Sequence, residues 1–173
     1  MLRPAAGFWL FAVMTLVPLI ASSAPLLPKT VTVTVTDEIR SLAGLRNVQL
    51  KVDHIPGAMR DVGVDEASVM ELISKLLKEA GIRIVGTDAP TVVFKAIVID
   101  DKAHDLVSFT LFLDVQQRVH LHRLEQDLSL VTFTAVGSAM TKRTQLGRLA
   151  RQQMIHAANQ LLSHLNEANN ARR

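Results

Sequence analysis

The chain has 173 residues, of which 49% are hydrophobic and 20% are charged, and it contains no cysteine. This length fits one domain of about 100 to 200 residues, and the composition is that of a folded protein. Without cysteine the chain has no disulfide, no thiol nucleophile and no lipid attached at an N-terminal cysteine. The formal net charge of +3 is too small to predict nucleic acid or another polyanion as a partner.

The first 23 residues have the pattern of a cleavable secretory signal. Arg3 precedes the apolar stretch 8–20, and small residues follow at 21–24. The apolar stretch is shorter than the roughly 20 residues of a membrane-spanning helix, and it contains Pro18. We therefore predict cleavage after Ser23, export to the periplasm or beyond, and no membrane span in the mature protein. An uncleaved membrane anchor is the alternative.

Few aromatic side chains would remain after cleavage. Trp9 is the only tryptophan, and there is no tyrosine. Four phenylalanines follow the signal: Phe94, Phe109, Phe112 and Phe133. Sugar sites and single-stranded nucleic-acid grooves stack their ligands on exposed aromatic rings. The composition therefore disfavours both classes of site.

We predict that residues 24–38 form a leader that precedes the folded domain. Within it, 30–36 alternates threonine and valine with the period of a strand, so this segment is either an edge strand or a flexible tether. The segment 47–53 also alternates, which predicts a strand with one buried face. Ile55-Pro56-Gly57 ends that strand.

The segment 64–81 has the clearest helical pattern in the chain. Its apolar residues recur at helical spacing, namely Val69, Leu72, Ile73, Leu76, Leu77 and Ala80. Asp65 suits the N-cap, and Gly81 suits the left-handed position that closes the last turn. We expect a helix bounded by these two residues.

Strand patterns follow this helix. Residues 82–85 and 92–99 predict two strands, and the second is apolar nearly throughout, which predicts a central strand of the sheet. Residues 107–122 alternate apolar and polar side chains, and 128–136 returns after a short connection. These two segments predict a long hairpin that needs a β-bulge to follow the twist of the sheet.

A second helix is predicted from about 144 to 168, because apolar residues again form one stripe. We therefore predict that residues 39–168 form a single α+β domain and that residues 169–173 form a frayed tail. The expected architecture is a mixed or mostly antiparallel sheet of four to six strands with two helices packed on one face.

His120 and His122 are the candidate metal ligands. Alternate residues of a strand project from the same face, so the two imidazoles could share one Zn²⁺ or Cu²⁺. The local sequence offers no third ligand, and Arg118 projects from the same face. Solvated histidines on a polar strand face are the alternative interpretation. No cofactor is predicted.

Lys142, Arg143 and Arg148 are the candidate anion-binding residues, because a helix N-terminus beside basic groups can hold a phosphate or carboxylate. A solvated basic patch is the alternative. The turn from Asp100 to Asp105 is rich in oxygen ligands but lacks EF-hand spacing, and aspartates are common in turns for backbone reasons.

Motifs for catalysis are absent from the sequence. It contains neither a Gly-x-Ser-x-Gly elbow, nor Ser-x-x-Lys, nor His-Glu-x-x-His. An enzyme is therefore unsupported by the sequence.

The segment Leu42-Ala43-Gly44-Leu45-Arg46-Asn47-Val48-Gln49-Leu50-Lys51-Val52, followed by the predicted helix and by Gly81-Ile82, resembles a loose group of uncharacterised secreted bacterial proteins. The motifs of this resemblance are structural, so no functional residue is carried over. The order of elements is also similar to small α+β domains of periplasmic assembly factors, such as the N-terminal domain of the Tol translocation protein and curli-export proteins.

The leading hypothesis is a non-enzymatic periplasmic accessory or adaptor protein. It would engage another envelope protein through the exposed face of its sheet or through an unpaired edge such as 30–36. A metal-binding protein or metal-dependent enzyme centred on His120 and His122 is one alternative, and a binder of a small apolar or anionic ligand is another.

Overall fold

The structure is a computed structural model that describes residues 35–171. The predicted signal at 1–23 and most of the predicted leader, including the Thr/Val segment up to residue 34, lie outside the described residues. Four helices are present within 35–171: α1 (Asp37–Arg40), α2 (Gly57–Arg60), α3 (Glu66–Glu79) and α4 (Leu146–Ala171). Five strands accompany them: β1 (Asn47–Val52), β2 (Arg83–Ile84), β3 (Thr91–Asp101), β4 (Leu106–Leu121) and β5 (Gln126–Lys142).

The strands form one mixed sheet in the order β2-β1-β3-β4-β5. β1 is parallel to both β2 and β3, whereas β3 with β4 and β4 with β5 are antiparallel. The two long helices pack on the same face, with α3 against β1 and β2 and α4 against β4 and β5. The predicted α+β class and the two-helix layer are therefore confirmed. We call this covered face the helix side, and the other the open face.

Helix α3 begins and ends where the sequence predicts. The Asp65 carboxylate accepts a hydrogen bond from the Ser68 backbone N–H at 2.8 Å, and the Ser68 hydroxyl is 3.0 Å from the Asp65 N–H, which completes a capping box. At the other end Gly81 has φ +80°, and the Ile82 N–H donates to the Leu77 carbonyl at 2.9 Å. This is the closure expected of a Schellman motif.

The β4–β5 hairpin is longer than predicted and contains the expected bulge. Val115 pairs with Phe133 and Gln116 pairs with Val131, so Thr132 is the extra residue. The Thr132 hydroxyl donates to the Val115 carbonyl at 3.3 Å and accepts from the Gln117 amide at 3.0 Å. These hydrogen bonds hold the irregular pair in place.

Helix α4 runs antiparallel to β5 and presses closely on it. A Cβ placed on Gly137 would lie 2.7 Å from the Gln153 backbone oxygen, so only glycine allows this approach. Further along the helix, Gln160 reaches the Val136 N–H, and His164 stacks edge-on against Phe133. The tight fit at Gly137 therefore fixes where the helix crosses the strand.

The outer edge of β5 is capped in part by side chains. The Thr134 N–H donates to the Glu38 carboxylate at 3.4 Å, and the Val136 N–H donates to the Gln160 amide oxygen at 3.3 Å. Backbone donors that a further strand would use are thus occupied by side chains of α1 and α4.

Two segments differ from the sequence predictions. The four-residue helices α1 and α2 were not predicted, because one turn has no periodicity to detect. Helix α4 continues to Ala171 instead of fraying from residue 169. Its end is tied down because the Asn169 side chain accepts a hydrogen bond from the Gly44 N–H at 2.9 Å.

Gly137→Ala tests the close approach of α4 to β5. Alanine should favour the strand by about 0.5–1 kcal/mol, but the clash with the Gln153 carbonyl should cost roughly 1–3 kcal/mol. We expect a lower free energy of unfolding, measured by urea denaturation. Ser138→Ala, on the open face, is the control and should stay within about 0.5 kcal/mol of the wild type. A Gly137→Ala protein as stable as the wild type would contradict the close contact.

Asp65 predicts a pH dependence of stability. The Ser68 backbone N–H, and then the Ser68 hydroxyl, lower the pKa of the Asp65 carboxyl below its ordinary value of about 4. Because the folded pKa is the lower one, the stabilisation is present above the unfolded pKa and is lost as the pH falls through the folded value.

Asp65→Ala should therefore lower the free energy of unfolding clearly at pH 7 and much less near pH 2, as measured by urea denaturation at both values. Asp65→Asn keeps a capping side chain that does not titrate, so its difference from Asp65→Ala should be similar at both pH values. An Asp65→Ala penalty that is the same at pH 7 and pH 2 would contradict the pKa shift.

Candidate functional site

The open face of the sheet carries a group of uncovered apolar side chains. Sequence reasoning predicts a central strand at 92–99, yet only its first half is enclosed. Val92, Phe94 and Ala96 are buried on the helix side, whereas Ile97 and Ile99 project from the open face and are 56% and 70% exposed. The continuous apolar run of β3 therefore combines side chains of the core with side chains that are exposed on the open face.

The neighbouring strands extend this apolar area. Three rows of paired residues cross β3, β4 and β5 on the open face. They are Lys95–Phe112–Val136, Ile97–Thr110–Ser138 and Ile99–Ser108–Met140. Met140 is 68% exposed, and Val136 is also exposed. We define the open-face patch as Ile97, Ile99, Phe112, Val136 and Met140.

The open-face patch has the shape of a shallow trough. Its outer side chains stand on β3 and β5, and the β4 side chains between them at Ser108 and Thr110 are small. Strands two positions apart are separated by about 10 Å. Apolar side chains of a partner segment can therefore lie over Ser108, between Ile99 and Met140.

A polar network bounds the patch at one end. Asp114 is buried, and its two carboxylate oxygens lie 2.9 Å from Lys95 Nζ and 2.9 Å from the Thr134 hydroxyl, which donates to it. The three residues span β3, β4 and β5. Because every partner of the buried carboxylate is a side chain of the open face, this network is a fixed polar border.

The candidate metal ligands lie near the tip of the hairpin. The ring centroids of His120 and His122 are 5.0 Å apart. His120 Nδ1 is 2.9 Å from Asp127 Oδ1, and His120 Nε2 is 3.6 Å from Glu125 Oε2. Among residues 35–171, no group of three or more histidine, aspartate or glutamate side chains is arranged to hold a metal ion. Metal binding here stays a prediction. To bind a metal ion, His120 would have to give up its contact with Asp127 or with Glu125.

The candidate anion-binding residues have different surroundings, and anion binding by them stays a prediction. Arg143 donates to both carboxylate oxygens of Asp100, and this partner raises the pKa of the Arg143 guanidinium. Lys142 ends β5 on the open face, because it pairs with Leu106 in the same register as the patch. Arg148 lies instead on α4. Arg143 is therefore committed to an internal ion pair.

Arg148 lines a separate groove beside the start of α4. The groove has a volume of about 550 Å³, and Arg151, Val62 and Ile155 also line it. Arg151 Nη2 donates to the Gly63 carbonyl at 3.1 Å. A small ligand with an acidic group and an apolar part would suit this composition, so the small-ligand alternative is located here as a prediction.

The aspartate-rich turn between β3 and β4 is accounted for by its own hydrogen bonds. Asp101 accepts from the Ala103 N–H at 3.1 Å and lies 2.8 Å from His104 Nδ1, while Asp100 pairs with Arg143. These side chains stabilise the turn and its attachment to the helix layer.

Comparisons with known proteins assign no family. No family model matches the chain, and no curated protein matches its sequence. One solved structure, the 2.35 Å crystal structure of a minor lipoprotein from Acinetobacter baumannii, is similar with 14% identity and a TM-score of 0.35. The match covers 70% of this chain and 92% of that chain. At that TM-score the likeness supports no conclusion about this chain, whose function is inferred from its own surface. Among residues 35–171 no helix combines the length and apolar character needed to cross a bilayer.

The histidine pair has a direct test. As a site with two imidazoles and nearby arginines, it should bind Zn²⁺ weakly, because structural zinc sites use four ligands. Isothermal titration with Zn²⁺ should show binding that is lost in the double variant His120→Ala with His122→Ala. His104→Ala, which removes an exposed histidine from another turn, is the control. Binding that persists in the double variant would contradict the prediction.

Proposed function

We propose that this chain is a non-enzymatic accessory or adaptor protein of the bacterial cell envelope, and that it binds another envelope protein through the open-face patch. The observation that carries the proposal is the run of large apolar side chains on three adjacent strands. Ile97, Ile99 and Met140 are each more than half exposed.

The size of this surface favours a binding role. The largest apolar patch on a monomeric protein commonly measures roughly 300–600 Å² and is often functional. The exposed parts of Ile97, Ile99, Val136 and Met140 together reach roughly 400 Å², which is within that range. Such patches commonly mark interaction sites because covering them with a partner removes apolar surface from water.

The arrangement of charge around the patch favours a protein partner over a charged ligand. Lys95 is neutralised by Asp114. Lys142 remains at one corner as a polar rim residue. An apolar centre with a polar rim is the usual anatomy of a protein–protein interface.

The predicted signal and the motif content of the sequence also support the proposal. The predicted signal supports a partner in the envelope, and the absence of nucleophile and metalloprotease motifs from the sequence is why we propose binding and not catalysis. The small side chains of β4 between Ile99 and Met140 support a partner segment with apolar side chains on one face, such as an amphipathic helix or a strand.

Site-specific photo-crosslinking in the native source would test the proposal. A photo-reactive residue at position 99 and one at position 140 should capture the same envelope protein, identified by mass spectrometry. The same probe at position 155, an exposed isoleucine of α4, should not capture it.

Once the partner is identified and purified, the contribution of the open-face patch to the binding affinity can be measured. Ile99→Thr combined with Met140→Thr removes apolar area but keeps good strand formers, and it should weaken binding by about 10-fold or more. Ile155→Thr is the matched control and should leave binding unchanged. Equal capture at all three positions would contradict the proposal, and so would a hydrolytic activity of the purified protein that one histidine or aspartate substitution abolishes.

A further inference from the structure

The β2 side of the sheet ends in an open edge. β2 is the last strand on this side, and it pairs with β1 alone. The Arg83 and Val85 N–H groups each donate to a β1-side carbonyl at 2.9 Å. Because backbone groups alternate along a strand, the N–H and C=O of Ile84 point away from β1. No side chain of residues 35–171 caps them in the way that two side chains cap the edge of β5.

A groove lies beside this edge. It has a volume of about 600 Å³, and the end of α3 and residues 81–85 line it. Ile82 is buried, and Ile84 pairs with the buried Val48, so the Ile84 side chain lies on the helix side. Arg83, between the two isoleucines, projects from the open face. A strand added here would therefore place alternate side chains next to Ile84 and next to Arg83.

Both charged side chains that line the groove are basic. Lys78 lies in the last turn of α3, and Arg83 Nε donates to Asn47 Oδ1 at 3.0 Å. Among residues 35–171 neither of them takes part in an ion pair. Lys78 belongs to the helix layer and Arg83 to the open face, so one cation lies on each side of the edge. The edge is therefore complementary to an extended segment with acidic side chains.

We infer that the β2 edge is a strand-addition site, and that its occupant is an extended acidic segment of a partner protein. The segment hydrogen-bonds to the backbone of Ile84, as in complexes formed by β-strand addition. An acidic side chain of the segment lies beside Arg83, and the next side chain along, which is apolar, covers Ile84. The edge shares no residue with the open-face patch, so this site is additional to the proposed function.

Charge disfavours the two occupants that this chain itself could supply. Pairing the β2 edges of two copies would gather two lysines and two arginines around one short ladder, and like charges on paired strands are destabilising. The segment 30–36 alternates like a strand but has no acidic side chain. A partner of different sequence that carries acidic residues therefore fits the edge better than either.

The shortness of β2 limits the affinity. Only two residues form the strand, so an added segment gains few backbone hydrogen bonds. Discrimination between segments then depends on Lys78 and Arg83. We therefore expect weak binding that salt reduces further, because salt screens the interaction between exposed charges.

Nuclear magnetic resonance titration of the isotope-labelled protein, purified after export, tests the inference. The probe is the capped peptide Thr-Val-Glu-Val-Glu-Val-Thr, added to roughly 1 mM because so small a contact binds weakly. The backbone amide signal of Ile84 should shift, and its exchange with solvent should slow. The same peptide with lysine in place of both glutamates should bind at least about 10-fold more weakly. So should the peptide with threonine there, which reproduces residues 30–36.

Methylation of the peptide nitrogens separates strand addition from attraction between charges alone. In an extended segment, alternate N–H groups face opposite edges. Methyl groups on either the valine or the glutamate nitrogens should therefore abolish binding, and methyl groups on the other set should leave it unchanged. This expectation holds for a parallel and for an antiparallel segment. Binding that both sets abolish, or that neither set weakens, would overturn the inference.

Reversal of the two charges gives a complementary test. Lys78→Glu with Arg83→Glu should invert the preference, so that the lysine peptide binds more tightly than the glutamate peptide. Lys102→Glu with Arg123→Glu is the matched control, because it changes one exposed lysine and one exposed arginine in the turns at the two ends of β4. This control should keep the preference for the glutamate peptide. A charge-reversed protein that also keeps it would contradict the assignment of Lys78 and Arg83.

Two further outcomes would overturn the inference. One is an Ile84 signal that does not respond at the highest peptide concentration. The other is a response centred on Ile99 and Met140, because that result would assign the peptide to the open-face patch.

Discussion

The register of β4 is the constraint on which the rest of the structure depends. β4 lies between β3 and β5, and its alternate residues from Val107 to Val115 are all buried on the helix side. Because side chains alternate strictly along a strand, a shift of one residue would move this entire set to the open face. The same register that encloses Phe109 and Leu111 also places Thr110 and Phe112 on the open face. Core and candidate docking surface are therefore specified by one pairing.

The bulge after Val115 divides the hairpin into two parts with different roles. Before it, β4 and β5 belong to the five-stranded sheet and support α4. Beyond it, β3 has ended, and among residues 35–171 β4 and β5 continue as a two-stranded ribbon from Gln117 and Leu130 to the hairpin turn. Extra twist at a bulge re-aims the strands that follow it. The open-face patch and the aliphatic residues Val119, Leu128 and Leu130 consequently lie on opposite faces of one continuous hairpin.

Much of the fold could be predicted because local signals agree with the tertiary structure. The caps of α3 at Asp65 and Gly81, the stripe of α4 and the long hairpin with its bulge all follow from spacing and residue type. Parallel pairing of β1 with β2 and β3 could not be predicted, because it brings together residues far apart in sequence without a local marker. By helix propensity alone, Gly147 is a weak point in the first turn of α4. In the structure a Cβ there would lie 2.8 Å from the Val62 carbonyl oxygen, which only tertiary packing reveals.

The candidate site was less accessible to sequence reasoning. The open-face patch was missed because an apolar run such as 92–99 looks the same whether both faces are buried or one faces solvent. Met140 lies beyond the strand that the sequence predicts at 128–136. The sequence groups Lys142, Arg143 and Arg148 by proximity, but Arg143 pairs with Asp100 near the end of β3. Pairing across strands therefore decides which polar groups are available.

The side chains that occupy the edge of β5 also limit how copies of this protein can assemble. A bare edge of this length would invite the edge of another copy, and repeated addition in one direction yields a filament with no natural end. Glu38 and Gln160 take up two of the backbone donors that such growth needs. Open-ended growth of this kind is a hazard wherever newly folded chains are concentrated. The fold thus leaves flat faces for contact but closes part of its edge, which favours complexes of fixed size.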